Sequence, residues 1–411
     1  MKKIDKFYPV EQVKQYYEWF SEEEYQRRYK KVREAMSQRG LDCLIVYGSG
    51  IRMRAGFSNV CYLSNWVGEV YAYVVFPMEG EPTLIAPAIF GHIVDVMTLS
   101  VIKDVRFKGD KNMPDFAPAV AERIKELKLE EGNIGIVGPG GIGNITIPVS
   151  HYFTLKEKLP KAHFEFVKGM FERIRRIHSP EVMKCIEKGA ELTDLALEAL
   201  IKAVKPGATD LELSAAAAHA CRQRGGRNVI ELVGSHPMSG EWCCPNPWWY
   251  PPSRPIKKGD IVVTEISEAW RGYAGQLCHS IALGEPPKDY RDMFEIALEV
   301  YKRVQKALKP GNTEEDVLKA SEPLTEAGFF SMTPIIHGWG FDLDRPFVGT
   351  STLPGYRTQT FTVFEKGMTI MIEPAPTTPD FKKSLIFGGL NLVTEVGGKG
   401  LQKHPLEFTV V

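Results

Sequence analysis

Two stretches of this chain end in a carboxylate at the same distance from a glycine: KKGDIVVTE, from Lys257 to Glu265, and EKGMTIMIE, from Glu365 to Glu373. In each, a run of apolar residues precedes the glutamate, a pattern that predicts a half-buried strand carrying it. A buried charge is costly unless it is paired. Either one alone is better explained as a salt-bridged strand end, but the shared position makes Glu265 and Glu373 equally good candidates for acid–base work. His337 in HGWG (His337 to Gly340) is the third candidate. Small neighbours let the backbone bend and project the ring, and an imidazole titrating near neutral pH can carry protons without a metal. A histidine without such context is more often a hydrogen-bonded core residue. Cys278 is a candidate nucleophile if a neighbouring base activates it, and otherwise ordinary buried packing. From Trp242 to Tyr250 the chain is rich in tryptophan and proline, which gives rigid flat walls for an apolar, aromatic or cationic nitrogen group, or else a lid or subunit contact. Asp342, Asp344 and Arg345 in FDLDRPF are placed to position a substrate, with a salt-bridged loop as the plain alternative.

The elements that must hold these residues repeat. KPGATDLELSAAA, from Lys205, recurs as KPGNTEEDVLKAS, from Lys309, each between two helical patterns, and each is followed by one of the glycine-to-glutamate strands. Two halves of this kind, paired about a pseudo-twofold axis, bury their apolar faces together and bring their strands into one sheet, making Glu265 and Glu373 symmetry mates. Before the repeat lies a different region. Ser21 to Arg39 reads as a capped helix ended by Gly40, and Leu41–Gly48, Val70–Pro77, Pro82–Pro87 and the stretch after Asn133 read as short strands. This predicts an α/β domain over 1–168 and an α+β domain with the internal repeat over 169–411, entered by a helix with Ser179 as N-cap and Pro180 at its first position. GPGGIG (Gly138 to Gly143) formally matches a dinucleotide fingerprint, but Pro139 and Pro148 with β-branched residues stand where the phosphate-binding helix should start, so a plain turn is expected.

Composition narrows the function. In 411 residues, 51 basic and 51 acidic side chains balance, leaving no excess to release counterions from nucleic acid. No stretch approaches the roughly twenty apolar residues of a membrane-crossing helix, and the first twenty residues lack a secretory pattern. With seven scattered cysteines, a cytoplasmic protein with reduced thiols, no membrane partner and no nucleic-acid partner is expected.

At these motifs the sequence resembles the creatinase, aminopeptidase P and prolidase family. RIRRIHSPEVMKCIEKGAEL, the KPG helix starts, KKGDIVV, RGYAG, HGWG, MIEP and LVTEVG carry the resemblance over essentially the whole chain. It implies a pita-bread fold behind a smaller α/β domain, and a homodimer whose N-terminal domain reaches the neighbour's cleft. In that setting Arg52 and Arg54 of GIRMRAGF would offer guanidinium groups to a substrate carboxylate. Most members hold two metals with two aspartates, a histidine and two glutamates. The equivalent positions here are Glu265, Gln276, His337, Glu373 and Gly388, so two carboxylates are absent. Gln276 and Cys278, two apart on a strand, would face the same side. A further family histidine falls near Trp248, with His236 and His279 close in sequence. The resemblance thus implies no metal cofactor and a creatinase-like hydrolase that cleaves a carbon–nitrogen bond in a small substrate. His337 would be the acid/base, oriented by Glu373 and Glu265, and Gln276, Cys278, Trp248, Arg345, Arg52 and Arg54 would line the substrate. A lyase using the same site and a catalytically silent binding protein are the alternatives.

Overall fold

The computed structural model describes residues 9–17, 19–50, 56–68, 71–87, 92–108, 116–138, 146–349 and 362–411. Arg52, Arg54 and most of the GPGGIG turn lie outside them. The chain forms two compact units, Met1–Arg175 and Arg176–Val411.

The first unit holds β1 (Cys43–Gly48), β2 (Ala72–Pro77), β3 (Thr83–Pro87), β4 (Asp104–Lys108), β5 (Asn133–Val137) and β6 (His163–Val167) in one sheet of order β4-β3-β2-β1-β5-β6. The short β-branched runs predicted as strands are β1, β2, β3 and β5. The helix Glu22–Ser37 begins where the capping pattern predicts, with Glu24 N donating to Ser21 Oγ at 3.1 Å. The helix Met170–Arg175 packs on this unit through Phe171 edge-on to Tyr62 and an Arg175–Asn59 hydrogen bond of 2.8 Å.

The second unit is built on a sheet that contains β7 (Arg227–Pro237), β8 (Asp260–Trp270), β9 (Tyr273–Ala274), β10 (Leu277–Ala282), β12 (Ile336–Gly338), β13 (Asp344–Val348), β14 (Thr369–Ile372), β16 (Gly388–Thr394), β17 (Gly397–Gly400) and β18 (Thr409–Val410). Its main order is β13-β12-β14-β16-β10-β8-β7, while β11 (Phe330–Ser331) and β15 (Pro376–Thr377) pair separately. The repeat read from the sequence is present bond for bond. Gly207 N donates to Ile256 O at 2.8 Å and Gly311 N to Phe364 O at 3.1 Å. Ile256 N donates to Ala208 O at 2.7 Å and Phe364 N to Asn312 O at 2.8 Å. The two KPG glycines have φ near 90° (88° at Gly207, 90° at Gly311), as do Gly259 and Gly367 at 90° each. An L side chain rarely adopts this left-handed region, so glycine recurs at the four turns. Each KPG turn then starts a helix with a capping interaction: Thr209 N donates to Glu212 Oε2 and Thr313 N to Asp316 Oδ2, both at 2.8 Å.

Helices cover one face of the sheet. The long helix Pro180–Ala203, N-capped by Ser179, buries Ala196, Leu197 and Leu200 against Val262, Ile266, Leu277 and Ile281. In the other half the helix Lys288–Ala307 buries Met293, Ala297, Val300 and Val304 in one core with Ile336, Ile370 and Ile372. Because side chains alternate along a strand, Glu265, Cys278 and His337 project from the opposite face. No helix among the described residues is long and apolar enough to cross a membrane.

Candidate functional site

Register brings the chemistry together on that helix-free face. Cys278 lies opposite Glu265 on the β8–β10 side and opposite Gly388 on the β10–β16 side. His337 lies opposite Met371, and Glu373 follows β14 two residues further on. The result is a buried group contributed by both halves of the repeat: Glu265 keeps 9% of its surface exposed, His337 and Glu373 3%, and Gln276 and Cys278 none.

Each side chain of the group has a definite partner. Gln276 Nε2 donates to Glu265 Oε1 at 2.6 Å. Cys278 Sγ donates to Glu373 Oε2 at 3.5 Å, while the other oxygen of Glu373, Oε1, lies 3.5 Å from His337 Nε2. His337 Nδ1 is 3.1 Å from Gly338 O. A carbonyl can only accept, so the geometry assigns a proton to Nδ1 and leaves Nε2 as the nitrogen that gains and loses one. The ring of Trp339 stands edge-on to the imidazole, with centroids 5.6 Å apart, and Phe347 lies on another side at 6.3 Å. Thr333 Oγ1 fixes the backbone at Glu373 by donating to its carbonyl at 2.6 Å.

Electrostatics follow from this crowding. Burial, and then the Glu373 carboxylate, push Glu265 up to about 8, against the pull of His337 and of the Gln276 amide. The neutral, protonated form of Glu265 is thereby favoured over its carboxylate. Burial opposes the imidazolium of His337, but the Glu373 carboxylate, the Gly338 carbonyl and Glu265 together outweigh it and hold the ring above its ordinary value. Burial first, and the two carboxylates after it, push the Cys278 thiol well above its usual range. The neighbouring carboxylates disfavour a thiolate instead of stabilising one, which favours the buried-packing alternative for Cys278.

Gly388 carries no side chain, and the structure leaves no room for one. A Cβ built there would lie 1.9 Å from Ile372 O and 2.8 Å from Glu373 Cα. The strands β14 and β16 have closed over the position where the resemblance puts a second glutamate.

The other sequence candidates are not among the side chains that bond within this group. Trp248 is 43% exposed and bridges Val233 on the outer edge of β7, with β7 between it and β8. Arg345 is exposed on β13 and lines a small pocket with Arg176, His178, Trp339, Phe341 and Thr369; neither Glu265 nor Glu373 lines that pocket. His279 does not replace the missing histidine, because alternation from Cys278 turns it to the helix-covered face. There its Nε2 is 2.8 Å from Thr409 Oγ1, its ring meets His404 edge-on, and burial holds it down to about 3. His236 is also buried and held down to about 3, with Nε2 3.2 Å from the Tyr290 hydroxyl. Phe347 and Thr333 are site residues that the sequence reading missed; Phe347, three residues beyond Asp344 and opposite His337 in register, was findable only once β12 and β13 were paired.

Comparison with known proteins places both units. The model "Metallopeptidase family M24" matches residues 184–400, and "Creatinase/Prolidase N-terminal domain" matches residues 28–177. An Xaa-Pro dipeptidase of Pyrococcus furiosus is 26% identical over 73% of this chain and 82% of its own length. The ectoine hydrolase of Halomonas elongata is 22% identical over 95% of this chain and 98% of its own. Among solved structures, an Xaa-Pro dipeptidase from Bacillus anthracis superposes with a TM-score of 0.76 at 21% identity, over 94% of this chain and all (100%) of that one, a likeness of fold.

Proposed function

Because the chain belongs to metallopeptidase family M24, we propose that it is a hydrolase of a carbon–nitrogen bond in a small molecule, working without a metal, with His337 as the acid/base. The reaction class is supported by relatives named for hydrolysis, an Xaa-Pro dipeptidase and an ectoine hydrolase. One observation carries the finer reading: His337 Nε2 and Glu373 Oε1 stand 3.5 Å apart in a pocket whose remaining groups do not suit a pair of hard cations.

Such a pair needs several carboxylate oxygens, some of them bridging. Gln276 supplies an amide, and it points a hydrogen at Glu265 Oε1. Gly388 supplies nothing, and its place is filled by the Ile372 carbonyl. The donor set does not fit a paired-metal centre.

In the proposed reaction the Nδ1–H of His337 stays on Gly338 O, so Nε2 is the working atom. Glu373 orients the ring and stabilises its charged form. Nε2 takes a proton from the attacking water and returns it to the departing nitrogen, which turns an amide-like nitrogen into a leaving group. Glu265, its neutral form favoured by burial and its carboxyl anchored by Gln276, holds the water or donates to the developing oxyanion. The buried ring of Trp339 and the half-buried ring of Phe347 limit other water.

The test is turnover of a panel of small amides, lactams, amidines and Xaa-Pro dipeptides by chelator-treated protein, with metal content measured on the same sample and products analysed after reaction in oxygen-labelled water. Solvent oxygen in the product of a metal-free sample supports the reading. Product without solvent oxygen means elimination, and activity that requires two equivalents of metal rejects the proposal.

A further inference from the structure

Trp339 stands between two glycines, Gly338 and Gly340, so the peptide units on either side of it have unusual freedom to rotate. One of those units bears on the chemistry. The Gly338 carbonyl that receives His337 Nδ1–H lies in the same rigid plane as the Trp339 N–H. Thr369, at the start of β14, grips this plane and the next one. Its carbonyl accepts from Trp339 N at 3.2 Å, and its hydroxyl donates to Trp339 O. Trp339 Nε1 donates to Gly275 O at 3.3 Å, which keeps the indole edge-on to the imidazole. The direction of one further bond follows by elimination. A hydroxyl has a single hydrogen, and that of Thr369 is directed at Trp339 O, which can only accept. His178 Nε2, 2.8 Å from Thr369 Oγ1, is therefore a donor to it. His178 is itself fixed by the backbone: its N–H donates to Gly367 O at 3.2 Å, and it precedes Ser179, the N-cap of the long helix Pro180–Ala203.

We propose that His178 and Thr369 are positioning residues for His337, holding the backbone around Trp339 so that the Gly338 carbonyl keeps the Nδ1 proton and Nε2 keeps the lone pair that takes a proton from water. This rests on the proposed role of His337 as acid/base. Such a clamp answers a competition inside the site. Glu373 Oε1, 3.5 Å from Nε2, attracts a ring proton to that nitrogen, whereas Gly338 O, 3.1 Å from Nδ1, attracts it to the other. If the Gly338 peptide swivels, the proton settles on Nε2 and no lone pair faces the water. One backbone bond from Trp339 N leaves the segment free to turn about that bond. The Thr369 hydroxyl adds a second point, and the His178 N–H orients that hydroxyl. Both residues act through the backbone and not on the substrate.

Nuclear magnetic resonance of the full-length protein with nitrogen-15 in its histidine rings reads the tautomer directly, at an alkaline pH where the imidazole is neutral. The His337 signal is assigned by its loss in His337→Ala. The parent should show the proton on Nδ1 and a bare Nε2. Thr369→Val should mix in the other tautomer, and Thr369→Ser should restore the parent pattern. His178→Leu should act like Thr369→Val, and His178→Gln, whose amide can donate in place of Nε2, should restore it. On a substrate that the parent turns over, Thr369→Val and His178→Leu should lower kcat by about tenfold or more with KM within about twofold. Should Thr369→Val fold poorly, the two His178 variants decide, since that ring is only half-buried. The proposal is overturned if the parent carries its proton on Nε2, if the tautomer is unchanged in the Val and Leu variants, or if Thr369→Ser and His178→Gln lose as much as they do. Absence of any turnover in the parent would remove the hydrolase reading, while the tautomer pattern would still decide whether the clamp operates.

Discussion

Gly388 stands directly opposite Cys278 across the β10–β16 pair, and the space its side chain would need is occupied by the carbonyl oxygen of Ile372, 1.9 Å from an ideal Cβ. Backbone cannot retreat as a flexible side chain can, so this single contact fixes the capacity of the pocket.

Gly388→Ala is therefore expected to destabilise the protein by about 3 kcal/mol, the upper range for overpacking a filled core. Gly388→Glu should destabilise further and should not create a two-metal centre. Thermal or denaturant unfolding of the variants checks the first statement and metal analysis the second. An alanine variant as stable as the parent would show that β14 and β16 can separate.

His337→Ala should lower kcat by roughly 10²–10⁴-fold, the range for removing a general acid/base. Glu373→Gln keeps the shape but loses the charge that sustains the imidazolium, so it should also lower kcat and should move the pH profile to lower pH. The discriminating measurement is kcat across pH for both variants with far-ultraviolet dichroism as a control on folding. Equal profiles for Glu373→Gln and the parent would remove Glu373 from the mechanism.

Glu268 tests burial without catalysis. It projects to the helix-covered face, fully buried, with Asn228 Nδ2 donating to Oε1 at 2.7 Å. Burial first, with the neighbouring Glu231 adding, pushes it from 4.5 up to about 8. Between those values the folded chain holds a proton that the unfolded chain has released, so stability falls as pH rises through that window. Glu268→Gln should remove the decline and raise stability at pH 8 by on the order of 2 kcal/mol. Unfolding midpoints from pH 5 to 8.5 decide the matter; parallel curves for variant and parent would refute it.

His279 sets the opposite limb. Burial, with His404 beside it, lowers it from 6.5 to about 3. Across that interval the unfolded chain binds the extra proton, so stability is present above the ordinary value and is lost as the pH falls. His279→Gln should flatten the acid limb. Since Thr409 Oγ1 pairs with this ring and β18 pairs with β10, amide exchange at Val410 should accelerate near pH 4 in the parent and less in the variant.

Much of this architecture was legible from residue types. Glycines at 207, 259, 311 and 367 mark turns that only glycine adopts readily, and the glutamates at a fixed distance beyond two of them announced the symmetric pair. Ser21 and Ser179 announced helix starts through local chemistry. What escaped the reading depends on register between distant strands. Alternation along β10 places Cys278 with Glu265 and His279 against the helices, but the face on which the site lies emerges only when β8, β10 and β16 are aligned. The closure at Gly388 comes from β14, sixteen residues earlier in the chain, and no local pattern encodes it. Trp248 and Arg345 drew attention by their chemical type, while a loop bridging the edge of β7 holds the first and the edge strand β13 leaves the second exposed.

The four glycine turns act on the backbone alone. They deliver whatever residue follows them to the same spot, indifferent to whether it is an aspartate, a glutamate or something inert. A duplicated frame of this sort separates delivery from cargo, so its contents can be exchanged residue by residue while the chain still closes in the same way, and new chemistry can be installed without reinventing the container.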